Sequence, residues 1–141
     1  MSVARYLVDT SALIRLLRDP TAEQLWDEPR MAGLLAVCPI VELELLYTAR
    51  SRRDRDTLFE DLKTDYGWVV MPDRAFERAA ATQEALTGQG LHRSAGTVDL
   101  LVAATAELHE LTLLHYDRDF EHLAAVTGQP SAWVAPPGSL N

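Results

Sequence analysis

Cysteine is almost absent. Cys38 is the only one in 141 residues, so no disulfide can form within the chain. Its neighbours Leu34, Leu35, Ala36 and Val37 mark it as a small buried hydrophobe, and the composition suits a reducing, cytoplasmic setting. Basic charge is also scarce. Lys63 is the single lysine, and 13 Lys and Arg face 21 Asp and Glu, for a net charge of -8. That excludes broad electrostatic binding of nucleic acid over the whole surface. It leaves room for a local site where a divalent cation neutralises clustered carboxylates. No apolar run approaches the ~20 residues of a membrane span. The N-terminal run, with Arg5 early and a break at Asp9, is not expected to be a signal peptide. Gly-x-Ser-x-Gly, Walker-type and Gly-x-Gly-x-x-Gly motifs are missing, which removes the nucleophile-elbow hydrolases, the P-loop enzymes and the dinucleotide binders. His92, His109, His115 and His122 have no metal-ligand spacing as a set and read as ordinary core or surface residues.

What remains is an ordinary globular composition, 48% hydrophobic and 24% charged, of single-domain length. The domain is expected over 1–135, with a loose Pro/Gly-rich tail over 136–141. The chain is organised around Tyr6-Leu7-Val8-Asp9-Thr10-Ser11-Ala12-Leu13-Ile14. An apolar run from Val3 to Val8 reads as a buried strand and stops at Asp9. Thr10 and Ser11 offer N-cap oxygens, and Leu13, Ile14, Leu16 and Leu17 give a helical stripe. Asp9 is therefore expected where a strand hands over to a helix, the edge at which open parallel sheets bind ligands.

Further along, Ala22–Arg30 reads as a short helix ending near Pro29, and Leu34–Cys38 as a strand covered on both faces. Pro39 suits a first helical position. Ile40–Ser51 is apolar almost all round, as in a buried helix. Asp54–Tyr66 is a charged helix with Leu58, Phe59 and Leu62 as its stripe. Trp68–Met71 is a third strand and Arg74–Leu86 the next helix. Thr87–Gly96, with Gly88, Gly90 and Gly96, is a loop beside the functional edge. Ser94 or Thr97 caps a helix reaching Glu110. Leu111–Tyr116 is a fourth strand, Asp117–Val126 a short helix, and Ser131–Val134 a fifth strand at an edge. Alternating strands and helices predict an α/β fold: a central parallel sheet of about five strands between helical layers.

This reading brings four acidic positions to one sheet edge. Asp9 ends the first strand, Glu44 lies in the helix after the second, Asp99 opens the helix before the fourth, and Asp117 follows the fourth. Each has a plain role available, as a cap or an ion-pair partner. Yet Glu44 and Asp99 sit inside apolar helices without a Lys or Arg in the run, and buried carboxylates need a compensating charge. A divalent ion is the simplest one. Oxygen ligands without His or Cys point to Mg2+ or Mn2+. Glu42 competes with Glu44; the two project about 200° apart on a helix, so one pocket cannot easily take both. Arg93, and Arg50, Arg52, Arg53 and Arg55, are candidates for contacts to a phosphate backbone, although Asp54 and Asp56 can equally make the latter set a solvated surface. Trp26, Trp68 and Trp133 are expected to pack rather than stack on bases.

Val8-Asp9-Thr10-Ser11-Ala12-Leu13, Pro39-Ile40-Val41-Glu42-Leu43-Glu44-Leu45-Leu46-Tyr47, Val98-Asp99-Leu100-Leu101-Val102-Ala103-Ala104-Thr105-Ala106 and Tyr116-Asp117-Arg118-Asp119-Phe120 together resemble the four signatures of PIN-domain ribonucleases, especially the VapC-type toxins of toxin–antitoxin pairs. The resemblance spans nearly the whole chain. It implies a PIN-like three-layer fold and a Mg2+- or Mn2+-dependent endoribonuclease. Asp9, Glu44, Asp99 and Asp117 would be catalytic metal-site residues, with Asp119 a secondary ligand or a helix-start residue. It also implies a homodimer, a cognate VapB-type antitoxin, and a structured RNA substrate such as transfer or ribosomal RNA. Two departures stand out: Thr48 where the family has glycine, leaving Glu42 open beside Glu44, and His115 where threonine is common. Thr10 and Ser11 either orient the site or simply cap the helix. Two rival readings are a non-cutting PIN-like module that grips RNA or protein, and an aspartyl phosphatase of the haloacid dehalogenase type. The latter needs a second Asp where Ser11 stands.

Overall fold

The computed structural model describes residues 3–140. The fold begins with β1 (Tyr6–Val8), whose Leu7 and Val8 are fully buried, followed by α1 (Thr10–Arg18), α2 (Pro20–Leu25), α3 (Asp27–Met31) and β2 (Leu35–Val37). Next come α4 (Pro39–Tyr47), α5 (Arg52–Asp65), β3 (Gly67–Trp68), α6 (Arg74–Gly88) and α7 (Thr97–Leu108). The chain closes with β4 (Thr112–His115), α8 (Asp119–Thr127) and β5 (Ser131–Trp133). All strand pairings are parallel, in the order β3-β2-β1-β4-β5. The central strands are buried on both faces, as their unbroken apolar runs require. β1 and β2 are joined on one side, while the connection from β3 returns through α6 and α7 to β4 on the other side of β1. The direction of winding therefore reverses between β1 and β4, and a crevice opens there at the carboxyl ends of the strands.

Several elements differ from the sequence expectations for identifiable reasons. The helix expected over Ala22–Arg30 is two short ones. Asp19 caps α2 by accepting from the Thr21 and Ala22 N–H groups, and the chain bends at Trp26. That indole donates to the Val134 carbonyl at 2.7 Å and meets the Tyr6 ring edge-on, so tertiary anchoring overrides helix continuity. Pro29 lies in the first turn of α3, where a missing N–H costs little. The first strand starts at Tyr6 rather than Val3, and β3 keeps only two residues, extended by one bond from the Val69 N–H to the Val37 carbonyl.

The helix expected to reach Ser51 stops at Tyr47. The Thr48 hydroxyl donates to the Leu45 carbonyl, and Ser51 caps α5 by accepting from the Asp54 N–H. Nor is α4 buried all round: Leu43 and Tyr47 face solvent. Asp9, not Thr10 or Ser11, caps α1, and Gly96, not Ser94 or Thr97, precedes α7. α6 continues to Gly88, so the loop is shorter than expected, and α8 starts at Asp119 rather than Asp117. Cys38 is fully buried, and burial raises its thiol pKa. Within 136–140, Leu140 hydrogen-bonds the Tyr116 hydroxyl through both its N–H and its carbonyl; Asn141 lies outside the described residues.

Candidate active site

The crevice between β1 and β4 is lined by carboxylates. Asp9 leaves β1 with extended backbone, its N–H donating to the Leu114 carbonyl of β4 at 2.9 Å, so the strand pairing itself fixes where the side chain starts. Its Oδ2 accepts from the Ser11 N–H at 3.0 Å and from the Ser11 hydroxyl at 2.7 Å. Its Oδ1 is buried and has no hydrogen-bond partner. The residue is only 3% exposed. Burial raises its pKa, the two Ser11 bonds oppose that rise, and the nearby Glu44 charge adds to it. An orphaned carboxylate oxygen in such a place lacks the compensation that buried polar groups require.

Asp99 occupies the first turn of α7. Its Oδ2 accepts from the Gly96 N–H at 3.3 Å. Its pKa is pushed up to about 6, first by burial and then by the negative charge of Asp9, with smaller contributions from Asp117 and Glu44. One oxygen each of Asp99, Asp117 and Asp119 lies within 4.8 Å of the other two. Asp117 is held by its surroundings: its Oδ1 accepts from the Asp119 N–H at 2.9 Å, and its own N–H points at His115 Nδ1 at 3.3 Å. The Asp119 pKa is raised by burial and by Asp117. From the other side of the crevice Glu44 accepts the Thr10 hydroxyl at 2.6 Å. Glu42 turns away and pairs with Lys63 across to α5 at 2.8 Å. Among the described residues, none of Asp9, Glu44, Asp99, Asp117 and Asp119 is ion-paired with a basic side chain. The structure thus brings Asp99, Asp117 and Asp119 together directly and places Asp9 and Glu44 within electrostatic reach of Asp99.

The structure decides between the two roles open to Ser11 and gives His115 one. Ser11 Oγ donates to Asp9 and accepts from the Tyr116 N–H at 2.9 Å, tying the turn after β1 to the turn after β4. It acts as more than a cap, and the only local signal was a hydroxyl two residues after the aspartate. His115 is buried between the Phe120 and Trp133 rings, and burial lowers its pKa. A neutral ring with Nδ1 free to accept fits the Asp117 N–H, so the imidazole positions the backbone of Asp117.

A family model for the PIN domain matches residues 6–126, a stretch that holds all five carboxylates. The chain belongs to the PIN-domain family. Within it, the relatives are of the VapC type. This PIN domain is 46% identical over 136 residues to Ribonuclease VapC21 of Mycobacterium tuberculosis, covering 96% of this chain and 97% of the relative. It is 39% identical to Ribonuclease VapC18 of the same organism, covering 96% and 98%. Among solved structures, VapBC2 from Rickettsia felis bound to a DNA fragment from its promoter shares the fold with a TM-score of 0.76 at 15% identity, over 91% of this chain and 97% of that one. VapBC-1 from nontypeable Haemophilus influenzae does so with a TM-score of 0.73 at 18% identity, over 92% and 97%. The donor set of this VapC-type PIN domain is all carboxylate oxygen, with one buried oxygen unsatisfied, and both features fit a hard divalent cation.

Proposed function

We propose that this chain is a Mg2+- or Mn2+-dependent endoribonuclease, the toxin of a toxin–antitoxin pair. The ribonuclease names of its VapC relatives support the activity. The single observation that carries the metal is the buried, unpartnered Oδ1 of Asp9 in a crevice where Asp99 already has a raised pKa. A divalent cation bound there would acidify a water molecule and offset the charge that builds on a phosphodiester during in-line attack.

The chain's own residues supply the rest. Asp9, Asp99, Glu44 and Asp117 hold the cation, with Asp119 beside them. Ser11 locks Asp9 in one rotamer, Thr10 does the same for Glu44, and His115 fixes the backbone of Asp117. Because the carboxylates are pre-set by these bonds, little reorganisation is needed when the site is charged. The Glu42–Lys63 pair favours Glu44 over Glu42 as the helix α4 ligand.

The partners follow from the same reading: a VapB-type antitoxin, supported by likeness to the toxin–antitoxin complex from Klebsiella pneumoniae and to the VapBC structures; a second copy in a homodimer; and a structured RNA, transfer or ribosomal, cut in the cytoplasm. The test is RNA cleavage with Mg2+ or Mn2+ by wild type, Asp9→Asn and Asp99→Asn. Wild type is expected to cleave, and each variant to lose roughly 100-fold or more, as when a charge-stabilising group is removed from an active site. Equal cleavage by all three contradicts the metal-site assignment. RNA binding without cleavage would identify a non-cutting module instead.

A further inference from the structure

Tyr116 links β4 to the acidic cluster. β4 ends at His115 and α8 begins at Asp119, so Tyr116, Asp117 and Arg118 lie in neither element. The N–H groups of Tyr116 and Asp117 leave the sheet ladder and point at side chains, Ser11 Oγ and His115 Nδ1. The direction in which Asp117 departs therefore depends on what holds Tyr116. The Arg15 guanidinium lies over its ring, 4.9 Å from the centre, while Nη1 of the same arginine donates to the Ser11 carbonyl at 3.0 Å. Arg15 makes no ion pair among the described residues, so its charge serves the ring face and that carbonyl. The Trp133 ring meets Tyr116 edge-on at 5.6 Å. The Tyr116 hydroxyl accepts from the Leu140 N–H at 2.7 Å and donates to the Leu140 carbonyl at 3.2 Å.

A built turn brings Leu140 there. Val134 and Ala135 are buried, and the Val134 N–H donates to the His115 carbonyl, which anchors the segment at β4. The Ser139 N–H then donates to the Pro136 carbonyl at 3.0 Å, with Gly138 at φ +78°. Proline second and glycine third, the latter with positive φ, is the pattern of a type II turn. Pro136-Pro137-Gly138-Ser139 thus turns the chain back onto the residue before Asp117. We propose that Tyr116 is a positioning residue for the acidic site and that residues 136–140 are the strap that sets it. One oxygen each of Asp99, Asp117 and Asp119 lies within 4.8 Å of the others, and such charges repel. A carboxylate on a link outside the sheet swings away from the cluster unless its neighbour is fixed. With Leu140 clasping the hydroxyl and Arg15 covering the ring, Asp117 stays turned toward Asp99 and Asp119. This rests on the proposed cation site, since groups that orient metal ligands set affinity together with the ligands themselves.

The experiment uses the whole chain as wild type, Tyr116→Phe, Gly138→Val and the double variant. Tyr116→Phe removes the clasped hydroxyl and keeps the ring under Arg15. Gly138→Val touches neither Tyr116 nor the crevice. Its exposed position has room for a side chain, but the positive φ strains one, so the turn opens. Mn2+ affinity by calorimetry, melting temperature in chelator, and KM and kcat for RNA cleavage are measured for each. Each single variant is expected to bind Mn2+ roughly 10-fold more weakly and to lose kcat in step, with KM nearly unchanged and the chelated protein still melting cooperatively. The double variant is expected to lose no more than the worse single one, because both changes release one strap. Mn2+ affinity and kcat at wild-type values in both single variants, whatever their melting temperatures, overturn the positioning role and leave the metal site intact. Losses that add in the double variant, or a loss confined to one of the two single variants, overturn the strap. If wild type binds no Mn2+, the cation site falls and takes the strap with it.

Discussion

At the scale of single residues, the chemistry depends on side chains held by partners far away in sequence. Ser11 shows this best. Its hydroxyl takes a hydrogen bond from the Tyr116 N–H and passes one to Asp9, so it satisfies a buried donor and an acceptor at once. Ser11→Ala leaves the Tyr116 N–H unmet and Asp9 Oδ2 with the Ser11 N–H alone, and is expected to lower stability by about 1–3 kcal/mol, measured by denaturant unfolding, and to slow RNA cleavage as well. A loss of stability without a loss of rate would mean the bond braces the fold alone. The carboxylates themselves were legible in the sequence because Glu44 and Asp99 interrupt apolar runs. Site orientation by Ser11 was only one of two readings, and the role of His115 was not legible. The first depends on a contact spanning 105 residues, and the second on a ring pocket built from Phe120 and Trp133. The cap and site roles left open for Asp9 prove compatible, because its carboxylate accepts at Oδ2 while Oδ1 stays unpaired.

At the scale of elements, α4 separates two adjacent glutamates by direction. Glu42 lies against Lys63 of α5, whose ammonium also sits 3.9 Å from the Trp68 ring centre, while Glu44 faces Thr10. Glu42→Gln is expected to keep cleavage near wild type and to cost at most about 1 kcal/mol, because the Lys63 end of the pair is well solvated. Glu44→Gln is expected to lose most cleavage. Parallel rate measurements on the two variants decide the assignment, and the reverse ranking would refute it. The order of strands and helices was readable from alternating apolar runs and turn residues. Where the reading failed, the missing information was three-dimensional. Periodicity shows that α4 is apolar all round but not that nothing covers Leu43 and Tyr47. The break between α2 and α3 is set by the Trp26 bond to Val134, at the other end of the chain.

At the scale of the whole molecule, the acidic crevice makes folding and charge work against each other. Asp9, Asp99 and Asp119 all have raised pKa values, Asp99 at about 6. Between the ordinary carboxylate range and that value the folded chain binds more protons than the unfolded one, so metal-free stability falls as pH rises through this window. Thermal melting in chelator is therefore expected to show a drop from about pH 4.5 to 7 that Asp99→Asn flattens. After discounting for partial exposure, that substitution should stabilise the metal-free protein at neutral pH on the order of 1 kcal/mol. A wild type and an Asp99→Asn variant with identical pH profiles would contradict the charge clustering. Added Mn2+ is expected to raise the melting temperature of wild type more at pH 7 than at pH 5, since protons and metal compete for the same oxygens.

The proposed metal site at the crevice between β1 and β4 joins Asp9, Glu44, Asp99 and Asp117, with Asp119 beside them, and calorimetric titration of Mn2+ tests it most directly. Titrations of wild type, Asp9→Asn and Asp99→Asn at pH 6, in buffers of different ionisation enthalpy, report both affinity and protons released. Wild type should bind Mn2+ and release protons as it does so, because burial and the Asp9 charge push the Asp99 pKa up to about 6; both variants should bind far more weakly. Binding of equal strength in all three proteins, or no binding by wild type, would contradict it.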